Sequence, residues 1–245
     1  ISIAIGWIAN RYFHEFVSAP SSRTLLTILI PGTLVFLLGL YDDIRPVGPY
    51  FKFAVRGGAA VLMLSGCLVI CYLPVLFGSN LFCWAHGLPL TMLLVLVFTN
   101  AFNLFVGLDG LAAGSALCST LVVFVVAIFS GSALVSLLTI ALAGAILGFL
   151  RFNFNPATIF LGDCGSLFIG FMLSALALEG ATQKAPTVIA VAIPVVSFGL
   201  PILETLLSIF RRLISGKPVF TADREHIHHK LLQLGMSDRK VVIVL

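Results

Sequence analysis

Residues 111–129 read LAAGSALCSTLVVFVVAIF, and beyond Ser130-Gly131-Ser132, residues 133–150 read ALVSLLTIALAGAILGFL. Neither run carries a charged residue. A bilayer hydrocarbon core about 30 Å thick is crossed by roughly 20 apolar residues in helical form. Each run therefore predicts one membrane-crossing helix, and the short link makes the two an antiparallel pair. The runs are continuous rather than alternating, which excludes barrel strands. On either side, further spans are expected near 24–40, 57–76, 89–104, 164–180 and 186–210. The fold class is all-α, a polytopic transmembrane helix bundle of about seven complete spans plus truncated terminal helices.

Bulk composition agrees. Soluble domains carry about 25% charged residues, whereas this chain of 245 residues carries 10%, with 60% hydrophobic residues and a mean hydropathy of +1.13. One integral membrane domain over 1–245 is the expected organisation. The chain starts within the apolar Ile1–Ile8 and stops within Val241–Leu245, so it reads as a fragment of a longer membrane protein. The net charge of +4 does not point to nucleic acid, because Lys and Arg lie mostly between apolar runs. Five cysteines without a CxxC pair suggest helix packing rather than a disulfide or metal site. Gly144-Ala-Ile-Leu-Gly148 is a GxxxG expected to support close helix packing, and Pro194 and Pro201 are expected to kink the last full span.

Span alternation sorts the connections. Segments 41–56, 105–110, 151–163 and 211–240 share one side. Eleven of the 14 Lys and Arg fall there: Arg45, Lys52, Arg56, Arg151, Arg211, Arg212, Lys217, Arg224, Lys230, Arg239 and Lys240. The positive-inside rule makes that side cytoplasmic. The same side collects Asp42, Asp43, Asp109, Asp163, Asp223, His226, His228 and His229.

Four segments carry chemistry. Asp42-Asp43 directly follows the apolar Leu34–Tyr41. The pair reads either as two solvated carboxylates or, since a helix C-terminus disfavours anions, as ligands of a hard cation such as Mg²⁺. Asn100 and Asn103 lie three apart on one helix face, ahead of Gly107-Leu-Asp109-Gly110. That segment is a polar-ligand cradle or simply a turn. Phe160-Leu-Gly162-Asp163-Cys-Gly165-Ser166 opens a span, where Asp163 and Ser166 suit helix capping and free N–H groups suit phosphate. Asp223-Arg224-Glu-His226-Ile-His228-His229 has no HExxH or Cys partner for zinc. Its histidines and Arg224 suit phosphate contact or proton transfer.

In this order, the four segments resemble the polyprenyl-phosphate N-acetylhexosamine-1-phosphate transferase superfamily, and the His segment is most similar to its WecA/TagO branch. The resemblance covers essentially the whole chain, with the family's first helix, first cytoplasmic loop and last helix missing. It implies transfer of N-acetylhexosamine-1-phosphate, chiefly GlcNAc-1-phosphate, from a UDP-sugar to polyprenyl phosphate, with release of UMP. The reaction would begin a lipid-linked cell-envelope glycan at the inner membrane. It further implies Mg²⁺, or Mn²⁺ in its place, on Asp163 and Asp43, with Asp42, Asp43 and Asp163 catalytic. Lys52, Asn100, Asn103, Asp109, Phe160, Arg224, His226, His228 and His229 would bind substrate, with Asp109 on the uridine and Phe160 stacked on the uracil. A homodimer is compatible with it. One position departs: Val106 stands where the family pattern has Asp.

The rival readings are a UDP-MurNAc-pentapeptide phosphotransferase, an inactive homologue suggested by Val106, and a transporter. Transport needs access from both sides, whereas the reactive groups lie at one mouth and the spans read as nearly charge-free apart from Glu204. A CDP-alcohol phosphotransferase fails because no Arg follows Asp109-Gly110 at its required place. The topology is testable with single cysteines at positions 43, 109, 163 and 228 in a Cys-free background. All four are expected to react from the cytoplasm, and periplasmic labelling at two of them overturns the assignment.

Overall fold

The computed structural model describes residues 19–65, 87–183 and 238–244, with isolated positions between 199 and 210. The described residues form seven helices: α1 (Ala19–Ile44), α2 (Pro49–Ser65), α3 (Gly87–Leu104), α4 (Leu111–Phe129), α5 (Ala133–Asn153), α6 (Gly162–Gln183) and the short α7 (Asp238–Val244). Four stretches among them are long and apolar enough to cross a membrane: Thr24–Ile44, Leu111–Phe129, Ala133–Asn153 and Gly162–Gly180; Thr91–Leu104 is shorter. Most of the expected span at 186–210, with Pro194 and Pro201, and residues 66–76 of the one at 57–76 lie outside the described residues.

The bundle is built around α6, which packs against α1, α3, α4 and α5. Leu167, Phe171, Leu173 and Leu176 are almost fully buried, and a helix apolar on every side belongs at the centre. α1 and α3 run antiparallel to it: Gly39 meets Cys164 while Gly32 meets Met172, and Asn103 bonds Asp163 while Thr99 meets Gly170. α1 turns one stripe inward, with Ile28, Val35 and Leu38 buried, while Leu26, Ile30 and Leu37 face outward. Outward leucines suit lipid. Because lipid is as apolar as leucine, helix association here rests on close packing rather than on hydrophobic expulsion. Glycine supplies that closeness. A Cβ on Gly39 would lie 2.5 Å from the Cys164 Cα, and one on Gly170 would lie 3.0 Å from the Thr99 Cα.

Several expectations are corrected. Asp42 and Asp43 lie inside the last turn of α1 rather than in a loop beyond it. Arg56, assigned to a cytoplasmic connection, is buried inside α2. Gly144 and Gly148 make no close contact among the described residues, where a Cβ at either meets nothing within 4 Å. Cys118 is an exposed free thiol rather than a packing residue. The spans are less charge-free than expected, because Glu179 is buried within α6.

Gly39→Ala is expected to destabilise the bundle by about 1–3 kcal/mol through overpacking. Gly144→Ala is expected to be neutral or stabilising by up to about 1 kcal/mol, because alanine is the better helix former. Thermal unfolding of both variants in detergent micelles checks the contrast.

Candidate active site

Pro49 at the first position of α2 and Gly48 just before it let the chain turn sharply after α1. The Phe51 and Lys52 amides donate to the Gly48 carbonyl. The turn is fastened by Asp42, whose Oδ1 accepts the Val47 N–H at 2.7 Å. Lys52, on the first turn of α2, is thereby folded back over the end of α1. Its ammonium is ion-paired with Asp42 and lies 2.8 Å from Asp163 Oδ2. Asn103, on the last turn of α3, donates to the same Asp163 oxygen at 3.2 Å. Residues from four helices therefore meet at one mouth of the bundle.

Asp43 does something different. Its Oδ1 accepts the Asp163 N–H at 2.8 Å and its Oδ2 accepts the Cys164 N–H at 3.0 Å. The carboxylate closing α1 thus caps the start of α6, where the first amides of a helix lack partners and a negative charge is favoured. The N–H groups expected to be open to phosphate are engaged by Asp43. Two glycines make the approach possible. Gly39, one turn before Asp43, lets α1 touch the α6 backbone. Gly162 takes the left-handed φ of +63°, and a Cβ there would lie 2.6 Å from Asp43 Oδ2.

The second polar cluster joins two loops. Asp109 Oδ2 accepts the Ala157 N–H at 3.1 Å. Asn153, 6% exposed at the end of α5, accepts the Gly110 N–H at 3.1 Å and donates to the Ile159 carbonyl at 2.9 Å. Gly110 has φ +80° and sits against Phe154. This bracing holds the 154–161 segment, on which Phe160 stands 73% exposed. Val106 lies in the adjoining turn, exposed.

Lys52 is partly buried, which pushes its ammonium towards neutrality. Hydrogen bonds to Asp163 and Asp42, together with their charges, outweigh this and raise its pKa above the ordinary lysine value. Lys52 therefore stays charged at neutral pH and serves as a cation and donor, not as a base. The stability that its pairs contribute is full below the ordinary lysine pKa and is lost as pH rises through the raised one.

Among the expected site residues, Asp42, Lys52, Asn103 and Asp163 come together, Asp43 adjoins them through the cap, and Asp109 and Phe160 belong to the braced loops. Asn100 instead accepts a hydrogen bond from Arg56 at 3.1 Å. Arg224, His226, His228 and His229 lie outside the described residues. Sequence reading missed Arg56 and Asn153. Arg56 was signalled only by its place one helical turn after Lys52, and Asn153 only as a polar residue closing an apolar run.

Among the described residues no three His, Cys, Asp or Glu side chains are grouped as a metal site. Two carboxylates do converge, with the Lys52 ammonium between them. Mg²⁺ asks of a protein only one or two carboxylates, taking its remaining oxygens from phosphates and water. Asp43, expected beside Asp163 as the second ligand, has both oxygens on the α6 amides, so Asp42 and Asp163, already holding one positive group, are the donor set that fits that demand.

These features define a polytopic membrane protein with a carboxylate–lysine site at one mouth of its bundle. The chain belongs to glycosyl transferase family 4, whose model matches residues 25–181. It is 36% identical over its full length to a Bacillus subtilis protein called probable undecaprenyl-phosphate N-acetylglucosaminyl 1-phosphate transferase, covering 68% of that relative. It is 35% identical over 91% of its length to the Mycobacterium tuberculosis decaprenyl-phosphate N-acetylglucosaminephosphotransferase, covering 61% of it. It is 29% identical over 90% of its length to the Escherichia coli undecaprenyl-phosphate alpha-N-acetylglucosaminyl 1-phosphate transferase, again covering 61%. The chain thus spans about two thirds of the length of these relatives.

Asp43→Ala is expected to cost about 1–2 kcal/mol of stability, the usual value of a lost helix cap. Asp43→Asn, which keeps one acceptor oxygen, is expected to cost less. Thermal unfolding of purified variants measures this apart from any activity, and an unchanged Asp43→Ala midpoint overturns the capping role.

Proposed function

We propose that the protein transfers N-acetylglucosamine-1-phosphate from UDP-N-acetylglucosamine to a polyprenyl phosphate at the cytoplasmic face of the membrane, releasing UMP. The observation that carries this reading is the meeting of Asp42, Lys52 and Asp163, from three helices, at one mouth. The relatives' names, each joining a polyprenyl phosphate to N-acetylglucosamine, support the lipid acceptor and the sugar, and the apolar outer faces of the helices suit a long isoprenoid.

In the reaction, an oxygen of the lipid phosphate bonds to the phosphorus that carries the sugar, and the bond from that phosphorus to the UMP oxygen breaks. Both reactants are anions, so the site has to position them and neutralise their charge. A lipid phosphate is already largely ionised near neutral pH, its second pKa being about 6, so no carboxylate is required as a base. Lys52 donates to phosphate oxygens, and its flexible stem lets it exchange a carboxylate for a phosphate partner. Asp42 and Asp163 hold Lys52 in readiness and are the residues that would bind Mg²⁺ or Mn²⁺. Such an ion, when bound, supplies positive charge to the pyrophosphate oxygens. Asn103 keeps the Asp163 carboxylate turned towards Lys52. Asp43 fixes α6 against α1, so Asp42 and Asp163 stay opposed. Phe160 offers an exposed ring for the uracil beside Asp109, and Arg224, His226, His228 and His229 are assigned to the pyrophosphate and sugar. Val106 leaves the site with two converging carboxylates, Asp42 and Asp163, sufficient for one divalent ion.

Membranes holding the full-length protein are expected to move radiolabel from UDP-N-acetylglucosamine to polyprenyl phosphate in a Mg²⁺-dependent manner. Asp163→Asn should lower the rate more than about tenfold, a loss above about 1.4 kcal/mol, with normal expression. Retained activity removes Asp163 from the chemistry, and transfer only from another UDP-sugar overturns the donor.

A further inference from the structure

We propose that Arg56 is a positioning residue that sets how tightly the carboxylate cluster holds a divalent cation. The proposal rests on the reading of that cluster as a cation and phosphate site. Arg56 is 5% exposed within α2, one turn beyond Lys52. Its Nε donates to the Lys52 carbonyl at 3.1 Å and its Nη1 to Asn100 Oδ1 at 3.1 Å, and its Cζ lies 5.6 Å from the centre of the Phe53 ring. Asn100 precedes Asn103 by one turn on the same face of α3. Two rungs therefore lie one above the other. Lys52, Asp163 and Asn103 form the rung at the mouth, and Arg56 with Asn100 forms the rung beneath.

The lower rung has an unusual charge state. Burying a guanidinium is costly unless something answers its charge. Among the described residues no carboxylate reaches ion-pair distance of Arg56, and the compensating charges are those of Asp163 and Asp42, acting across space. Arg56 cannot shed its proton, and its ties to Lys52 and Asn100 hold it in place. Lys52 can swing away from Asp42 and Asp163 when a metal ion or phosphate arrives; Arg56 stays. A divalent cation entering between the two carboxylates therefore meets one fixed positive charge from below, which weakens its hold. Asn100, expected to bind substrate, serves here to anchor that charge.

The electrostatic role and a purely structural one predict opposite signs. Loss of the charge strengthens cation binding, whereas loss of support for α2 weakens it. The experiment is a Mn²⁺ titration followed by electron paramagnetic resonance, on full-length protein in nanodiscs. Arg56→Gln is expected to bind Mn²⁺ about three- to tenfold more tightly than wild type, the range for one charge through a partly screened interior. Arg56→Lys, which keeps the charge, should stay within about twofold. Equal or weaker binding by a folded Arg56→Gln overturns the proposal. Should that variant not fold, Asn100→Asp neutralises the guanidinium in place and should tighten binding similarly, unchanged or weaker binding again overturning it. If neither wild type nor variant binds Mn²⁺, the cation reading of the site falls, and this proposal with it. If all bind with one affinity, this proposal alone falls.

Discussion

The contact on which the rest depends is the Asp43 carboxylate laid across the first amides of α6. At the mouth of a membrane bundle, a helix start has few partners to choose from, and its unpaired N–H groups carry the positive end of the helix dipole. The end of α1 has the opposite need. Carboxylates there face the negative end of their own helix, an unfavourable position unless something positive answers them. Running α1 antiparallel to α6 sets each problem against the other. With Asp43 fixed, Asp42 one residue earlier and Asp163 at the first turn of α6 are held close, like-charged and in need of a cation. Lys52, folded back by the Gly48-Pro49 turn, is that cation.

Close approach comes before this electrostatics. Two charged or polar groups on neighbouring helices interact only if the backbones come near enough, and bulky side chains near the mouth would prevent it. Gly39 and Gly162 clear the space on either side of the capping contact, and Gly170 does the same between α3 and α6 further in. The buried small residues Ala59, Ala60, Ala113 and Ala116 allow comparable closeness elsewhere. The bundle is thus tight around its central helix, while large aliphatic residues outside that core, such as Leu26, Ile30 and Leu37, face outward. That division of labour belongs to proteins whose surroundings offer no water to expel.

The helical fold was legible because hydropathy reports which residues must leave water. It marked α4 from Leu111 and α5 from Ala133, where Gly110 and the Ser130–Ser132 link interrupt the apolar runs. Hydropathy does not report where a helix ends, so Asp42, Asp43 and Arg56 were read as loop residues although they lie inside α1 and α2. The gathering of the carboxylates on one face followed from counting spans. Their partners did not, because pairings such as Asp43 with the Cys164 amide join positions 121 residues apart. The glycines at 144 and 148 looked like a packing motif because spacing says which residues share a helix face, not which face is covered. Asn100 and Asn103 shared a face as expected but divided their tasks, since only one of them stands level with Asp163.

The bracing of the two loops by Asn153 has a consequence of its own. One side chain satisfies a donor on the first loop and an acceptor on the second, so its amide has a single workable orientation. Turned over, it would set oxygen against the Ile159 carbonyl and nitrogen against the Gly110 N–H. The carboxylate of aspartate has nearly the same outline, yet it would leave two oxygens facing each other across a buried gap. Shape alone therefore does not qualify a residue for position 153. What joins the loops is polarity laid in one direction, as in a plug that fits its socket only one way round.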